Sequence, residues 1–107
     1  MTTSPLRVAI IGLGIGRQHA IAYAKLTEQF RVAAFCARDA AAVRTIADEF
    51  GAQHTLTRFE DAVALPDVDV IDICTPPALH ASQALAALRA GKHVICEKPL
   101  AASLAEI

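Results

Sequence analysis

The sequence is poor in aromatic residues and carries no excess of either charge. Aromatic side chains are 5% of its 107 residues and tryptophan is absent, although 54% of the residues are hydrophobic. The net charge is −1 and the basic residues are scattered, which argues against a nucleic-acid partner. We therefore predict a single domain with a core of aliphatic side chains and alanine, a composition typical of α/β proteins.

Long apolar runs and regular cysteine spacing are also missing. No apolar run approaches the roughly 18 residues of a membrane-spanning helix. Residues 1–5 show no secretory pattern. The three cysteines, Cys36, Cys74 and Cys96, are far apart and lack the spacing of metal ligands. We predict no metal site, no membrane partner, and a cytoplasmic protein whose cysteines are small buried residues.

A glycine turn follows the first apolar segment. Residues 7–11 consist of one arginine and then an apolar run, and Gly12, Gly14 and Gly16 follow that run. Glycine permits a tight turn close to a ligand, and N–H groups at the start of the next helix attract phosphate. Gly12, Gly14, Ile15 and Gly16 are therefore candidates for binding a cofactor phosphate.

The glycine spacing leaves three interpretations open. It is one residue shorter than the dinucleotide fingerprint G-x-G-x-x-G, which puts in doubt whether Gly16 packs the helix against the strand. On this stretch alone, a dinucleotide site, an S-adenosylmethionine site and a purely structural turn all fit.

Strand and helix patterns alternate along the whole chain. Five strands are predicted at residues 7–11, 31–36, 53–56, 68–74 and 92–96. Helices are predicted at residues 18–27, 40–50 and 78–90, with a short one opened by a capping box at residues 57–60. The alternation favours a Rossmann-type, doubly wound parallel sheet of order 3-2-1-4-5, with the ligand crevice at the carboxyl ends of strands one and four.

The end of the chain predicts a longer protein. Residues 103–106 have capping-box spacing, yet Ile107 is the last residue, and a sixth strand is absent. We expect residues 1–107 to be a nucleotide-binding domain, incomplete at its C-terminus, whose substrate domain is missing.

Ala37 and Arg38 follow the second strand, about twenty residues beyond the glycines, where an acidic residue binds the ribose 2′-hydroxyl of NAD. Alanine removes a repulsive carboxylate, and arginine can bind a 2′-phosphate through two hydrogen bonds. Asp39 either caps the next helix or turns to the ribose. These residues favour NADP as the cofactor, with NAD as the alternative.

Three segments resemble the N-terminal domain of the Gfo/Idh/MocA oxidoreductases. They are residues 16–19 (GRQH), residues 69–80 (DVIDICTPPALH) and residues 90–100 (AGKHVICEKPL). The resemblance implies hydride transfer between NAD(P) and a hydroxyl or carbonyl carbon of a sugar, cyclitol or related small molecule. It also implies a second domain that carries further catalytic residues and the contacts of a homo-oligomer. We therefore expect the 107-residue chain to be inactive alone.

The resemblance implies roles for five residues of these segments. It implies that Lys98 is catalytic and hydrogen bonds the reacting oxygen, and that Glu97 lies near the nicotinamide ribose. By the same resemblance, Thr75, Pro76 and His80 line the cofactor channel. A lysine at the carboxyl end of a strand, beside a cationic ring, can also exchange protons near neutral pH.

Two other functions stay open at this point. An S-adenosylmethionine-dependent methyltransferase is disfavoured because Ile10 and Ile11 precede the glycines, where an acidic residue is usual. A non-catalytic nucleotide-binding module also fits the pattern. His19 is interpreted as a packing or capping histidine, and Asp72 as a carboxylate in a buried strand whose partner the sequence does not reveal.

Overall fold

The structure is a computed structural model that describes residues 4–98. In that range the strands are β1 (Leu6–Ile11), β2 (Phe30–Cys36), β3 (His54–Leu56), β4 (Val70–Ile73) and β5 (His93–Cys96). The helices are α1 (Gly14–Ala24), α2 (Ala40–Phe50), α3 (Phe59–Val63) and α4 (Pro77–Arg89). All strand pairs are parallel and the order is β3-β2-β1-β4-β5, which confirms the predicted doubly wound sheet.

Helices cover both faces of the sheet. Val8 and Ile10 of β1 belong to a core cluster with buried residues of α1 and α2. Ala9 and Ile11 belong to a second cluster that contains residues of α3 and α4. Since successive side chains of a strand point to opposite faces, both sides of β1 are buried. This explains why its sequence is a continuous apolar run rather than an alternating one.

The first helix begins earlier than the sequence pattern indicates. The predicted range was residues 18–27, whereas α1 starts at Gly14 and ends at Ala24. Two glycines in the first turn hid its start, because glycine has a low helix propensity. Gly16 is buried, and a Cβ atom there would lie 2.7 Å from Cγ2 of Ile10. Gly16 thus packs α1 closely against β1 despite the shortened glycine spacing.

The predicted helix caps have different outcomes. Asp39 caps α2 as expected, since its Oδ1 accepts hydrogen bonds from the backbone N–H groups of Ala41 (3.0 Å) and Ala42 (3.2 Å). Gly51 ends the same helix in the left-handed conformation, with φ +72°. The capping box at residues 57–60 is wrong: α3 starts one residue later than it requires, with Arg58 at the N-cap and no side-chain cap bond.

Two further predictions concern the extent of the elements. β4 is shorter than the predicted residues 68–74. The helix predicted from residue 103 lies outside the described residues. Within residues 4–98, no helix combines the length and the apolarity that crossing a bilayer requires.

Candidate functional site

A cavity of about 710 Å³ lies at the carboxyl edge of the sheet. Its lining comes from the turns after four strands and from one side of α4: residues 11–14, 36–38, 57–60 and 74–76, with Leu79 and Gln83. Carboxyl ends of parallel strands diverge where the strand order reverses, and ligands of such sheets bind there. β1 lies between β2 and β4 at this reversal.

The glycine turn forms the floor of this cavity. Gly12 has φ +95°, and a Cβ atom on it would lie 2.7 Å from the carbonyl oxygen of Cys74, so a side chain is excluded. A Cβ atom on Gly14 would meet no atom within 4 Å. The N-terminus of α1 has no side-chain cap and no acidic residue in its first turn. Its backbone N–H groups and its dipole therefore fit a phosphate group.

The turn after β2 places a guanidinium group at the cavity. Arg38 is exposed and belongs to the lining, next to Ala37. The neighbouring Asp39 carboxylate is hydrogen bonded to the first turn of α2. Asp39 is thus the helix cap that the sequence left undecided, and Arg38 carries the charge that faces the cavity after β2.

Two hydrogen bonds join the loop after β4 to α4. Thr75 Oγ1 donates a hydrogen bond to Gln83 Oε1 (2.6 Å), and the Thr75 carbonyl oxygen accepts one from His80 Nε2 (2.5 Å). His80 is 1% exposed, so its side chain lies beneath Thr75. Thr75 and Pro76 line the cavity, and contact of Thr75, Pro76 and His80 with a cofactor stays a prediction.

A hydrogen-bonded cluster lies behind the cavity wall. Asp72 is fully buried, and its Oδ2 accepts hydrogen bonds from Tyr23 Oη (2.6 Å) and His19 Nδ1 (2.7 Å). The other ring nitrogen of His19 lies 2.7 Å from Glu97 Oε2. We name these four residues, Tyr23, Asp72, His19 and Glu97, the histidine bridge. Cys74, which lines the cavity, lies beside it with Sγ 3.4 Å from His19 Nδ1.

The histidine bridge changes the proton affinities of its members. Partial burial alone lowers the pKa of His19, but hydrogen bonds and charges from Asp72 and Glu97 outweigh it and the net pKa is raised. Burial and the Asp72 carboxylate raise the pKa of the Tyr23 hydroxyl and of the Cys74 thiol. The hydroxyl and the thiol therefore stay protonated near neutral pH.

Donor atoms of His19, Asp72 and Cys74 lie within 4.8 Å of one another, a spacing that a metal ion can bridge. These atoms are paired within the cluster instead. In the described part of the chain, every buried side-chain nitrogen and oxygen has a hydrogen-bond partner. Hydrogen bonds within the cluster thus satisfy these atoms without a cation. The absence of a metal site stays a prediction.

The predicted site residues fall into two groups. Those in the cavity lining are Gly12, Gly14, Ala37, Arg38, Thr75 and Pro76. Those that the described lining does not include are Ile15, Gly16, His80, Glu97 and Lys98. Lys98 is exposed and follows β5, and the Glu97 N–H donates to the Ile73 carbonyl oxygen (3.0 Å). Both therefore lie at the same edge of the sheet as the cavity.

Sequence reasoning missed part of the site. Residues 57–60, which the sequence marks only as a helix start, and Gln83, which no motif marks, both line the cavity. His19 was interpreted as a packing residue, and Asp72 had no partner. The only sequence signal was chemical, because a carboxylate in a fully buried strand requires hydrogen-bond donors.

Comparison with known proteins supplies a family. The model described as "Oxidoreductase family, NAD-binding Rossmann fold" matches residues 6–107. The chain is 36% identical over 101 residues to 4-carboxy-2-hydroxymuconate-6-semialdehyde dehydrogenase of Sphingobium sp., covering 94% of this chain and 32% of the relative. It is 40% identical over 106 residues to levoglucosan dehydrogenase of Pseudarthrobacter phenanthrenivorans, covering 90% and 27%.

A solved structure shares the same fold. The WlbA dehydrogenase of Chromobacterium violaceum, in complex with NADH and UDP-GlcNAcA, superimposes with a TM-score of 0.91 at 30% identity. The match covers 99% of this chain and 31% of that one. The chain thus spans about 30% of the length of these relatives.

Proposed function

The chain belongs to the Gfo/Idh/MocA family of oxidoreductases, within its NAD-binding Rossmann fold, and we propose that it forms the cofactor-binding domain of an NAD(P)-dependent oxidoreductase. The nicotinamide supplies hydride chemistry when bound. One observation carries the proposal: the cavity at the strand-order reversal contains both the glycine turn and the uncapped start of α1.

The glycine turn would hold the pyrophosphate of the cofactor. Gly12 and Gly14 present backbone rather than side chains to the cavity, and the first N–H groups of α1 follow them directly. A pyrophosphate needs several hydrogen-bond donors at close range and benefits from the positive end of a helix dipole. S-adenosylmethionine has no phosphate and would leave these donors unused.

Arg38 would bind a 2′-phosphate on the adenosine ribose, which favours NADP over NAD. The Asp39 carboxylate caps α2 through two backbone N–H groups, which holds it at the start of that helix rather than at the ribose. A charged hydrogen bond of this kind contributes on the order of 1.5–3 kcal/mol. The preference for NADPH over NADH should therefore be roughly tenfold to a hundredfold.

Lys98 would hydrogen bond the oxygen at the reacting carbon and exchange its proton during hydride transfer. Its exposed position after β5 leaves it accessible to a substrate held by another part of the protein. The substrate class that we propose is a sugar, cyclitol or related small molecule. Relatives named levoglucosan dehydrogenase, D-glucoside 3-dehydrogenase and inositol 2-dehydrogenase support this class, together with the family resemblance of residues 90–100.

Calorimetric titration of the chain with NADPH, NADH and S-adenosylmethionine tests the proposal, with circular dichroism confirming that the chain is folded. Tightest binding of NADPH is expected. Tightest binding of NADH would keep the oxidoreductase and reject Arg38 as a phosphate ligand. Preferential binding of S-adenosylmethionine, or no binding of either dinucleotide by a folded chain, would contradict the proposal.

A further inference from the structure

The histidine bridge joins three parts of the fold that are distant in sequence. His19 and Tyr23 belong to α1, Asp72 belongs to β4, and Glu97 directly follows β5. His19 lies 53 residues from Asp72 and 78 residues from Glu97, yet both contacts are 2.7 Å long. The bridge therefore ties the helix that follows the glycine turn to the segment that carries Lys98.

The hydrogen-bond geometry indicates the protonation state of His19. A carboxylate oxygen accepts hydrogen bonds, and both ring nitrogens of His19 face one. Neutral imidazole has a single N–H group, whereas imidazolium has two and can donate to both carboxylates at once. Asp72 is inaccessible to water, so losing one of its donors would leave a buried charge poorly solvated.

Within residues 4–98, backbone contacts hold the end of β5 on one side only. β5 is the last strand of the described sheet and pairs with β4, and its final contact is the Glu97 N–H on the Ile73 carbonyl oxygen. Every second residue of β5 is exposed. The Glu97 side chain on His19 is thus a second, independent attachment of the segment that leads to Lys98.

We propose that His19 is a positioning residue, which donates hydrogen bonds to Asp72 and Glu97 and thereby fixes the Glu97–Lys98 segment against the nicotinamide half of the cofactor. This inference rests on the proposed function of the cavity. It assigns no contact between His19 and the substrate. Tyr23 holds the opposite end of the bridge through Asp72 and keeps the carboxylate oriented toward the imidazole.

Nuclear magnetic resonance of the 107-residue chain tests the bridge without any cofactor. The groups that face His19 are Asp72 of β4, Cys74 directly after β4, Glu97 after β5, and Tyr23 of its own helix through Asp72. We expect both imidazole nitrogens of His19 to be protonated at neutral pH. The backbone amide signal of Lys98 should titrate with the same midpoint as His19, and Glu97→Ala, which leaves no side-chain acceptor, should abolish that coupling.

The matched control is His54→Gln. His54 also pairs with an aspartate, its Nε2 lying 2.9 Å from Asp67 Oδ2, but it belongs to β3 and is not part of the cavity lining. This variant should leave the His19 and Lys98 signals unchanged. If the Lys98 amide signal of the unmodified chain does not shift as His19 titrates, the inference is overturned.

Comparing NADH with its fragment ADP-ribose separates a positioning role of His19 from a general loss of stability. His19→Gln should weaken NADH binding about fivefold, the effect of losing roughly one hydrogen bond. The affinity for ADP-ribose, which lacks the nicotinamide, should stay within about twofold of that of the unmodified chain, because the glycine turn is intact. Equal losses for both ligands, or no loss for NADH, would reject the positioning role. If neither ligand binds the folded unmodified chain, the proposed function fails, and the resonance experiment still decides whether the bridge holds Lys98.

Discussion

At Gly16 a single hydrogen atom in place of a side chain decides how closely α1 approaches β1. The residue is helical and needs no unusual backbone angle, since the positive φ angles of the described chain belong to other glycines. Its requirement is space, because a Cβ atom there would lie only 2.7 Å from Cγ2 of Ile10. The shortened glycine spacing therefore keeps a tight helix–strand contact.

The variant Gly16→Ala should destabilise the chain by about 1–3 kcal/mol, the usual effect of forcing a methyl group into a packed core. Urea unfolding followed by circular dichroism measures the free energy of unfolding. Gly14→Ala is the matched control, since a Cβ atom there meets no neighbour within 4 Å. It should leave stability equal or raised by up to about 1 kcal/mol. Equal destabilisation by both variants would contradict the packing role of Gly16.

Arg38→Ala tests the cofactor preference at a single residue. Loss of the guanidinium should lower NADPH affinity about tenfold or more and leave NADH affinity within about twofold, since only NADPH carries the 2′-phosphate. Calorimetric titration of both dinucleotides measures the ratio. Arg44→Ala, an exposed arginine of α2 outside the described lining, should not change it. An unchanged NADPH to NADH ratio in Arg38→Ala would refute the phosphate contact.

At the scale of elements, local chemistry predicted some boundaries and missed others. Asp39 and Gly51 delimit α2 where the sequence places them, because a carboxylate cap and a left-handed glycine act within one helical turn. The start of α1 was missed because its first turn consists of residues with weak helix propensity, held by packing on β1. Tertiary contact thus overrides propensity where the two disagree.

The cap of α2 should act on stability and not on cofactor choice. Asp39→Ala removes acceptors for the N–H groups of Ala41 and Ala42 and should cost about 1 kcal/mol of unfolding free energy. Asp48→Ala, exposed near the end of α2, serves as the control and should have little effect. Thermal unfolding measures both. An Asp39→Ala chain of unchanged stability but altered NADPH to NADH ratio would show that Asp39 acts at the ribose instead.

Across the whole molecule, the histidine bridge makes stability depend on pH. The folded pKa of His19 is raised above its value of about 6.5 in an unfolded chain. Its contribution is therefore complete below pH 6.5 or so and is lost as pH rises through the folded pKa. Each unit of difference between the two pKa values corresponds to about 1.4 kcal/mol.

We expect the free energy of unfolding to fall as the pH rises above about 6.5 and through the raised folded pKa of His19. Denaturant unfolding at a series of pH values measures it. The fall should be largely absent in His19→Gln and preserved in His93→Gln, which removes an exposed histidine of β5. A slope that is the same in His19→Gln as in the unmodified chain would contradict the raised pKa.

The sequence by itself determined the element order, the parallel sheet and the turns that meet at its carboxyl edge. Apolar runs, glycine turns and helix caps act over a few residues, and right-handed connections leave few ways to arrange alternating strands and helices. The position of Arg38 beside the glycine turn follows from the same rules, since strands β1 and β2 are neighbours.

Only the tertiary structure decided which side chains meet. His19, Asp72 and Glu97 come from separate elements, and their contacts depend on how α1 rotates and packs on the sheet. That packing depends in turn on the space left by Gly16 above Ile10, a distance that no local pattern encodes. The buried carboxylate of Asp72 could be read from the sequence as needing donors, but their identity required the folded chain.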